Sequence, residues 1–384
     1  MRTLNNFLII IIFCLFNTSV YSSPKIDART FILLDHNSGE ILAEHEADQN
    51  IYPASMTKIM TAIVVFDFLK SGKINLDDEI VVSENAWRMS KSGYSSMFIM
   101  LNDKVSVEDL LRGIIVASGN DACVALAEGI AGTESNFADI MNEKAEEIGL
   151  TSTNFTNASG INDPDNYSTV RDIAKMSSYL ITNYPVYYKY FAEEEYTWDR
   201  TGGNPITQGN RNPLLYKGMG ADGIKTGYLA VEQYSLASSV IGDKRRLISV
   251  GSGFKSKKSR SNESIKLISW GLRNTDTYEI ARKDEPTFKF KVWLGKKDFI
   301  LGSTNEDIYL TISKKNSKNL NAKIKYTGPL KAPIKKGQEI GMLIIDKNKE
   351  EQITAPIFAS EKIEKVNFFK SLFLSFNYMI WGDA

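Results

Sequence analysis

The stretch that most constrains this chain runs from Ala54 to Lys70, entered through Pro53 and left at Gly72. It contains neither Gly nor Pro, and Met56, Ile59, Met60, Ile63, Val64, Val65, Phe66, Phe68 and Leu69 make it apolar almost all round. A helix apolar on every side must be enclosed by other elements, so this one predicts the middle of a sizeable domain. Its first turn nevertheless carries Ser55 and Lys58. At a spacing of three residues the hydroxyl and the amine share one helix face, at the positive end of the helix dipole, where an alkoxide or oxyanion is favoured. That arrangement makes a nucleophile without histidine. Ser-x-x-Lys also occurs at Ser22 and Ser252. The first ends a leader-like segment and the second lies in a Gly/Lys/Ser-rich loop, Gly251 to Arg260, so only Ser55 opens a buried helix.

Residue counts narrow the chemistry further. Only His36 and His45 are available among 384 residues, which excludes a His-rich zinc site or an H-E-x-x-H protease and disfavours a Ser-His-Asp triad. Both are expected to be structural, His36 in a hairpin turn. A net charge of zero gives no reason to expect nucleic acid. Arg2, the apolar run Phe7 to Phe16 and the small residues near Ser22 predict a secretory signal over 1–22, too short to span a membrane comfortably. Cys14 follows bulky Phe13, unlike a lipoprotein cysteine. Removal of the leader leaves Cys123 alone, expected to pack near Asn120, and no intrachain disulfide.

Beyond the buried helix, Thr30 to Glu46 predicts a hairpin and Trp87 to Met97 an irregular stretch. Ser106 with Asp109 predicts a capped helix running to about Ala117, and helices are expected over Asp121 to Ile130, Phe137 to Ile148, Thr169 to Thr182 and Ser264 to Leu272. Tyr234 to Val240 and Arg246 to Val250 form a second hairpin signal, with Asp222 to Tyr228 as the expected start of its first strand. Glu193-Glu194-Glu195 is expected to be a solvated turn. From about 280 to 360 short alternating runs without a helix predict a separate all-β domain.

Three short signals stand in order: Ser55-x-x-Lys58, Ser118-x-Asn120 and Lys225-Thr226-Gly227. Each has decoys, such as Ser152-x-Asn154 and Lys91-Ser92-Gly93. Order and flanks distinguish the set, which matches the pattern of penicillin-recognising serine enzymes. The runs Ser106 to Ala122, Ala125 to Glu128, Phe137 to Asn142 and Asp222 to Gly227 closely resemble the D-alanyl-D-alanine carboxypeptidases, low-molecular-mass penicillin-binding proteins of the bacterial envelope. The likeness covers about 25 to 275, continues more weakly through the β domain and resumes in the tail.

That resemblance implies an α+β fold, with a β-lactamase/transpeptidase-like catalytic domain over 25–275, a small all-β domain over 280–360 and a C-terminal helix. It implies Ser55 as nucleophile and Lys58 as base, with Ser118 and Asn120 relaying the proton and holding the substrate amide. Burial and the nearby Lys225 are expected to lower the pKa of Lys58. The backbone N–H groups of Ser55 and Tyr228 are the implied oxyanion hole. Thr226, Gly227, Tyr228, Arg211 and Arg260 are the implied substrate contacts, Thr226 and Arg211 gripping the terminal carboxylate. Tyr228 departs from relatives that carry His after Lys-Thr-Gly. No cofactor or metal is implied.

The expected activity is a serine D,D-carboxypeptidase that trims the terminal D-alanine from peptidoglycan pentapeptides through an acyl-enzyme and is inhibited by β-lactams. A β-lactamase is the enzymatic rival, disfavoured because no deacylating Glu stands out between Asn120 and Lys225. A non-catalytic wall-binding or scaffold protein is the rival from another class. In the tail, 364–384, Phe369, Leu372, Phe373, Phe376, Met379 and Ile380 share one helical face, which predicts an amphipathic helix lying on a membrane surface. The expected location is the periplasmic face of the cytoplasmic membrane.

Overall fold

In the computed structural model the described residues are 24–161, 163–200, 203–242, 245–315, 321–346 and 352–381. The leader expected over 1–22, with Cys14 and the decoy at Ser22, lies outside them.

A five-stranded antiparallel sheet runs in the order Ile41–His45, Thr30–Asp35, Arg245–Phe254, Gln233–Gly242, Ala221–Leu229. Strand alternation sends successive side chains to opposite faces. Ile32, Ala237, Ile248 and Val250 therefore join the helical core on one side, while Phe31, Leu33, Leu236 and Leu247 pack with Leu267 and Ile268 of the helix Lys257–Asn274 on the other. The helical core is centred on Lys58–Lys70, whose residues from Lys58 to Phe66 are all buried. Around it stand the helices Val107–Arg112, Asn120–Ala131, Glu134–Ile148 and Val170–Asn183. Ser106 caps the first of these, accepting from the Asp109 N–H at 3.1 Å and donating to the Asp109 carboxylate at 2.7 Å. That helix widens into a π turn, Gly113–Ala117, and ends where Ser118 adopts a left-handed conformation at φ 61°.

Several local expectations need correction. Residues Glu84–Ser90 form a short helix capped by Ser83, which takes in the start of the stretch Trp87 to Met97 expected to be irregular; one cap and two turns leave little periodicity to detect. Asp222 to Tyr228 is not the start of the next strand but its own edge strand, which turns back at Ala230–Glu232 so that Tyr228 faces Tyr234. The turn has no Gly, Pro or Asn to announce it. The expected loop Gly251 to Arg260 is the end of a strand followed by the first turn of a helix that Ser256 caps; its Lys and Ser residues are polar because that turn faces solvent. Glu193 forms an ion pair with Arg112 at 3.1 Å, and Glu195 begins the strand Glu195–Trp198, so this acidic run is not a solvated turn.

The C-terminal region is all-β. A six-stranded sheet runs in the order Asn321–Lys325, Glu339–Asp346, Gln352–Ala359, Phe299–Ser303, Phe288–Trp293, Leu330–Lys331, beside the pair Thr275–Ala281 and Ile308–Ser313. Phe290, Ile300, Leu310, Leu343, Ile345 and Ile357 form its own core. Phe368–Trp381 is a helix, and no helix among the described residues is long and apolar enough to cross a membrane.

Candidate active site

The three sequence signals converge because the sheet edge, the buried helix and the turn at Ser118 meet at one place. Ser55, Ser118, Asn120, Arg211, Thr226, Gly227, Tyr228 and Arg260 all line a single cleft of about 930 Å³. Ser55 sits in a 3-10 turn, Ala54–Thr57, that leads into the helix rather than in its first α-helical turn. The edge strand presses against this turn. A side chain at Gly227 would place a Cβ 2.3 Å from Ser235 Oγ and 2.9 Å from the Pro53 carbonyl, so only glycine allows the approach.

Lys58 is fully buried. Its Nζ donates to Ser55 Oγ at 3.0 Å, to Asn120 Oδ1 at 2.6 Å and to the Ser159 carbonyl at 2.6 Å. Burial lowers its pKa, and among its neighbours Arg211 adds to the lowering while Cys123, Asp121 and Glu134 oppose it. The like charges of Lys58 and Lys225 repel one another, and Lys225 lies well below its ordinary pKa because of burial first and Lys58 and Arg211 next. The charged form of Lys58 is thus disfavoured by burial, with its amine within hydrogen-bond reach of the Ser55 hydroxyl.

Arg211 is exposed at the cleft wall and donates to Ser95 Oγ. Arg260, in the first turn of Lys257–Asn274, is buried, donates to the Arg211 carbonyl at 3.3 Å and stands 5.8 Å from the Tyr234 ring. Burial brings its pKa down to about 10, and its Nε is unpaired among the described residues. Two guanidinium groups with few acidic neighbours make this end of the cleft suited to a carboxylate.

Sequence reasoning missed two supports. Asp121, fully buried, accepts from Ser96 Oγ at 2.6 Å, from the N–H groups of Met97 and Phe98 at 2.9 Å and of Ile99 at 3.2 Å. It thereby fixes the segment whose Ser95 carbonyl receives the Asn120 N–H at 2.8 Å. Its signal was available: a charge at the head of the apolar run Ala122-Cys123-Val124-Ala125 needs saturation once that helix is buried. The second is Asn157, whose Oδ1 accepts from the N–H groups of Ser159, Gly160 and Ile161 at 2.7 to 3.2 Å. It shapes the turn that offers Ser159 to Lys58. Gly160 there has φ +76°, and a Cβ would lie 1.8 Å from the Ala54 carbonyl. No local pattern links these residues to Lys58, a hundred positions away.

The remaining residues that were singled out are structural. His36 Nδ1 meets Ser178 Oγ at 2.9 Å, His45 packs on Phe31, and Cys123 is buried with its thiol pushed up to about 12.

Residues 17–255 match the family described as D-alanyl-D-alanine carboxypeptidase, and 276–365 match the penicillin-binding protein 5 C-terminal domain. The chain is 40% identical over 352 residues to D-alanyl-D-alanine carboxypeptidase DacC of Escherichia coli (strain K12), covering 90% of this chain and 87% of that one. Its structure resembles penicillin binding protein 5 from Haemophilus influenzae, with a TM-score of 0.80, 38% identity, and coverage of 90% of this chain and 100% of the other. It also resembles the cefotaxime-bound penicillin-binding protein D2 from Listeria monocytogenes, with a TM-score of 0.59, 26% identity, and coverage of 65% and 99%. These matches favour neither the β-lactamase nor the scaffold reading. With its β-rich C-terminal domain and the cleft built on Ser55 and Lys58, the chain belongs to the serine-type D-alanyl-D-alanine carboxypeptidases of the penicillin-binding protein family.

Proposed function

We propose that Ser55 is the acylated residue of this carboxypeptidase and that the other cleft residues act in stated roles. Lys58 takes the Ser55 proton as Oγ attacks the carbonyl carbon of the terminal D-alanyl-D-alanine bond. The developing oxyanion is held by the backbone N–H groups of Ser55 and Tyr228. The tetrahedral adduct collapses when the C–N bond breaks and the D-alanine amine receives a proton relayed from Lys58 through Ser118. Asn120 holds both the substrate amide and Lys58. Lys225 supplies positive potential, and Thr226, Arg211 and Arg260 hold the terminal carboxylate. Gly227 lets the strand approach, and Tyr228 covers the peptide. Water then hydrolyses the ester by the reverse proton route. The observation that carries this reading is the fully buried Lys58 amine, 3.0 Å from Ser55 Oγ and with a lowered pKa.

The same chemistry makes a β-lactam a suicide acyl donor, as the cefotaxime-bound relative suggests. The test is mass spectrometry after benzylpenicillin treatment, together with D-alanine release from a pentapeptide. Ser55→Ala should lose both, and a covalent adduct on that variant would overturn the assignment.

The finer organisation is proposed on the same footing: a leader over 1–22 directing export, a catalytic unit over 25–275, a β unit over 280–360, and a tail over 364–384 that lies on the periplasmic face of the cytoplasmic membrane. What supports the tail's role is exposure. Phe369, Leu372, Phe373, Phe376, Met379 and Ile380 are each at least half exposed, so the face is not docked on the protein's own core.

A further inference from the structure

Outside the reacting groups, one buried carboxylate ties together the two segments that carry the oxyanion donors. Glu232, in the turn after the edge strand, is only 4% exposed. It accepts two hydrogen bonds from Arg29 at 2.5 and 2.7 Å, one from Ser252 Oγ at 2.7 Å and one from the Tyr52 backbone N–H at 3.2 Å. Arg29 is itself held by Gln49 Oε1 at 2.7 Å. Glu232 follows Tyr228 by one short turn, with its own N–H on the Leu229 carbonyl at 3.1 Å. Tyr52 lies just before Pro53, Ala54 and Ser55. The carboxylate therefore bolts the tip of the edge strand to the entry of the Ser55 turn, across the seam where Gly227 meets Pro53.

We infer that Glu232 is a positioning residue that sets the spacing between the Ser55 and Tyr228 backbone N–H groups, and hence the fit of the oxyanion hole to the tetrahedral adduct. A buried carboxylate that holds three donor groups, Arg29 Nη2, Ser252 Oγ and the Tyr52 N–H, is rigid in a way that an apolar contact is not, because no water is at hand to replace a donor it loses. Hydrogen-bond donors in an oxyanion hole act on charge that develops only in the transition state, so a small widening lowers turnover more than substrate affinity. The inference rests on the assignment of Ser55 and Tyr228 above. It concerns a residue that does not itself line the cleft.

The experiment compares Glu232→Gln and Arg29→Gln with the parent in three measurements: kcat and KM for D-alanine release, affinity for a peptide boronic acid that forms a tetrahedral adduct on Ser55, and thermal unfolding. Glu232→Gln keeps the shape but puts an amide donor against Arg29. Arg29→Gln, at a partly exposed site, loosens the carboxylate more gently. In both, kcat should fall with KM nearly unchanged, by about ten- to a hundredfold for Glu232→Gln and less for Arg29→Gln. Boronate affinity should fall in step with kcat. Unchanged kcat in a folded variant overturns the inference, as does a KM effect alone or a kcat loss with full boronate affinity. Should Glu232→Gln not fold, Arg29→Gln decides by the same criteria. Failure of the underlying assignment has a different signature, namely boronate or penicillin still attaching covalently to Ser55→Ala.

Discussion

The cleft and the tail break the same rule in opposite directions. Globular proteins bury hydrocarbon and leave charge in water. In the cleft, Lys58, Lys225 and Arg260 are at most 7% exposed, and two of the three press on one another. In the tail, Phe368, Phe369 and Met379 are 75 to 80% exposed. Lys58 is met by neutral acceptors rather than by a carboxylate, and on the function proposed above the cleft holds its positive charge for a carboxylate and an acyl group, and the tail its hydrocarbon for a lipid surface. Asp121 shows what an ordinary buried charge is like. Its carboxylate is saturated by donors, so it has nothing left to offer a ligand.

The largest expected effect breaks the cleft. Lys58→Arg keeps the charge and removes the base, because a guanidinium does not give up its proton. Acylation by penicillin and by peptide should fall by about a hundred- to ten-thousandfold, read by stopped-flow labelling, with the fold retained by circular dichroism. Full activity in this variant would mean that the proton leaves Ser55 by another route.

Next in size is the saturated charge. Asp121→Ala strands the buried N–H groups of Met97 and Ile99 and the Ser96 hydroxyl, each costing about 1–3 kcal/mol, so denaturant unfolding should show a loss of about 3 kcal/mol or more and the wall at Ser95 should loosen. Asp121→Asn, which keeps one acceptor, should lie between. A neutral outcome for the alanine variant would erase the distinction between saturated and unsaturated charge drawn above.

Lys225→Met sharpens the same distinction by going the other way. Folding lowers the pKa of Lys225 well below 10.5, whereas the unfolded chain keeps its proton up to that value. The unfolded state then binds more protons, so folding pays its full cost below the folded pKa, and that cost fades as pH rises through the window towards 10.5. Methionine removes the cost. The variant should be inactive yet more stable, by about 1 kcal/mol or more, with the gain largest at low pH and vanishing towards pH 10.5. A destabilised variant would show that Lys225 is paired after all.

The helices with clear caps were legible in the chain itself: Ser106 and Thr169 each announce a helix start that the structure reproduces. So was the cleft's inventory, because all eight lining residues named from Ser55 to Arg260 sit together. What could not be read was support that crosses the fold. Glu232 holding Tyr52, Asp121 holding Met97 and Asn157 shaping the turn beneath Lys58 all join residues distant in sequence, and no periodicity encodes such pairs. The edge strand was misjudged for a local reason, since its turn at Ala230–Glu232 lacks the usual turn residues.

The smallest expected effect on catalysis comes from the tail, and that smallness is the point of the comparison. Phe369→Glu with Phe373→Glu replaces two of the most exposed side chains, at 80% and 64%, neither of which belongs to any hydrophobic core cluster. Stability should therefore move by no more than about 0.5 kcal/mol, as for other surface changes, and kcat/KM on a soluble pentapeptide should be unchanged. Membrane association should respond strongly. Each large apolar side chain contributes roughly 1.5–3 kcal/mol when fully buried and less at an interface, whereas Lys370 reaches the polar boundary at little cost. Sedimentation with vesicles should thus fall to the level of a chain truncated before Lys365, and binding of the parent should survive a high-salt wash. If both variants still sediment, the exposed hydrocarbon of the tail serves no lipid surface, and the parallel with the cleft fails at that end alone, leaving the chemistry of Ser55 untouched.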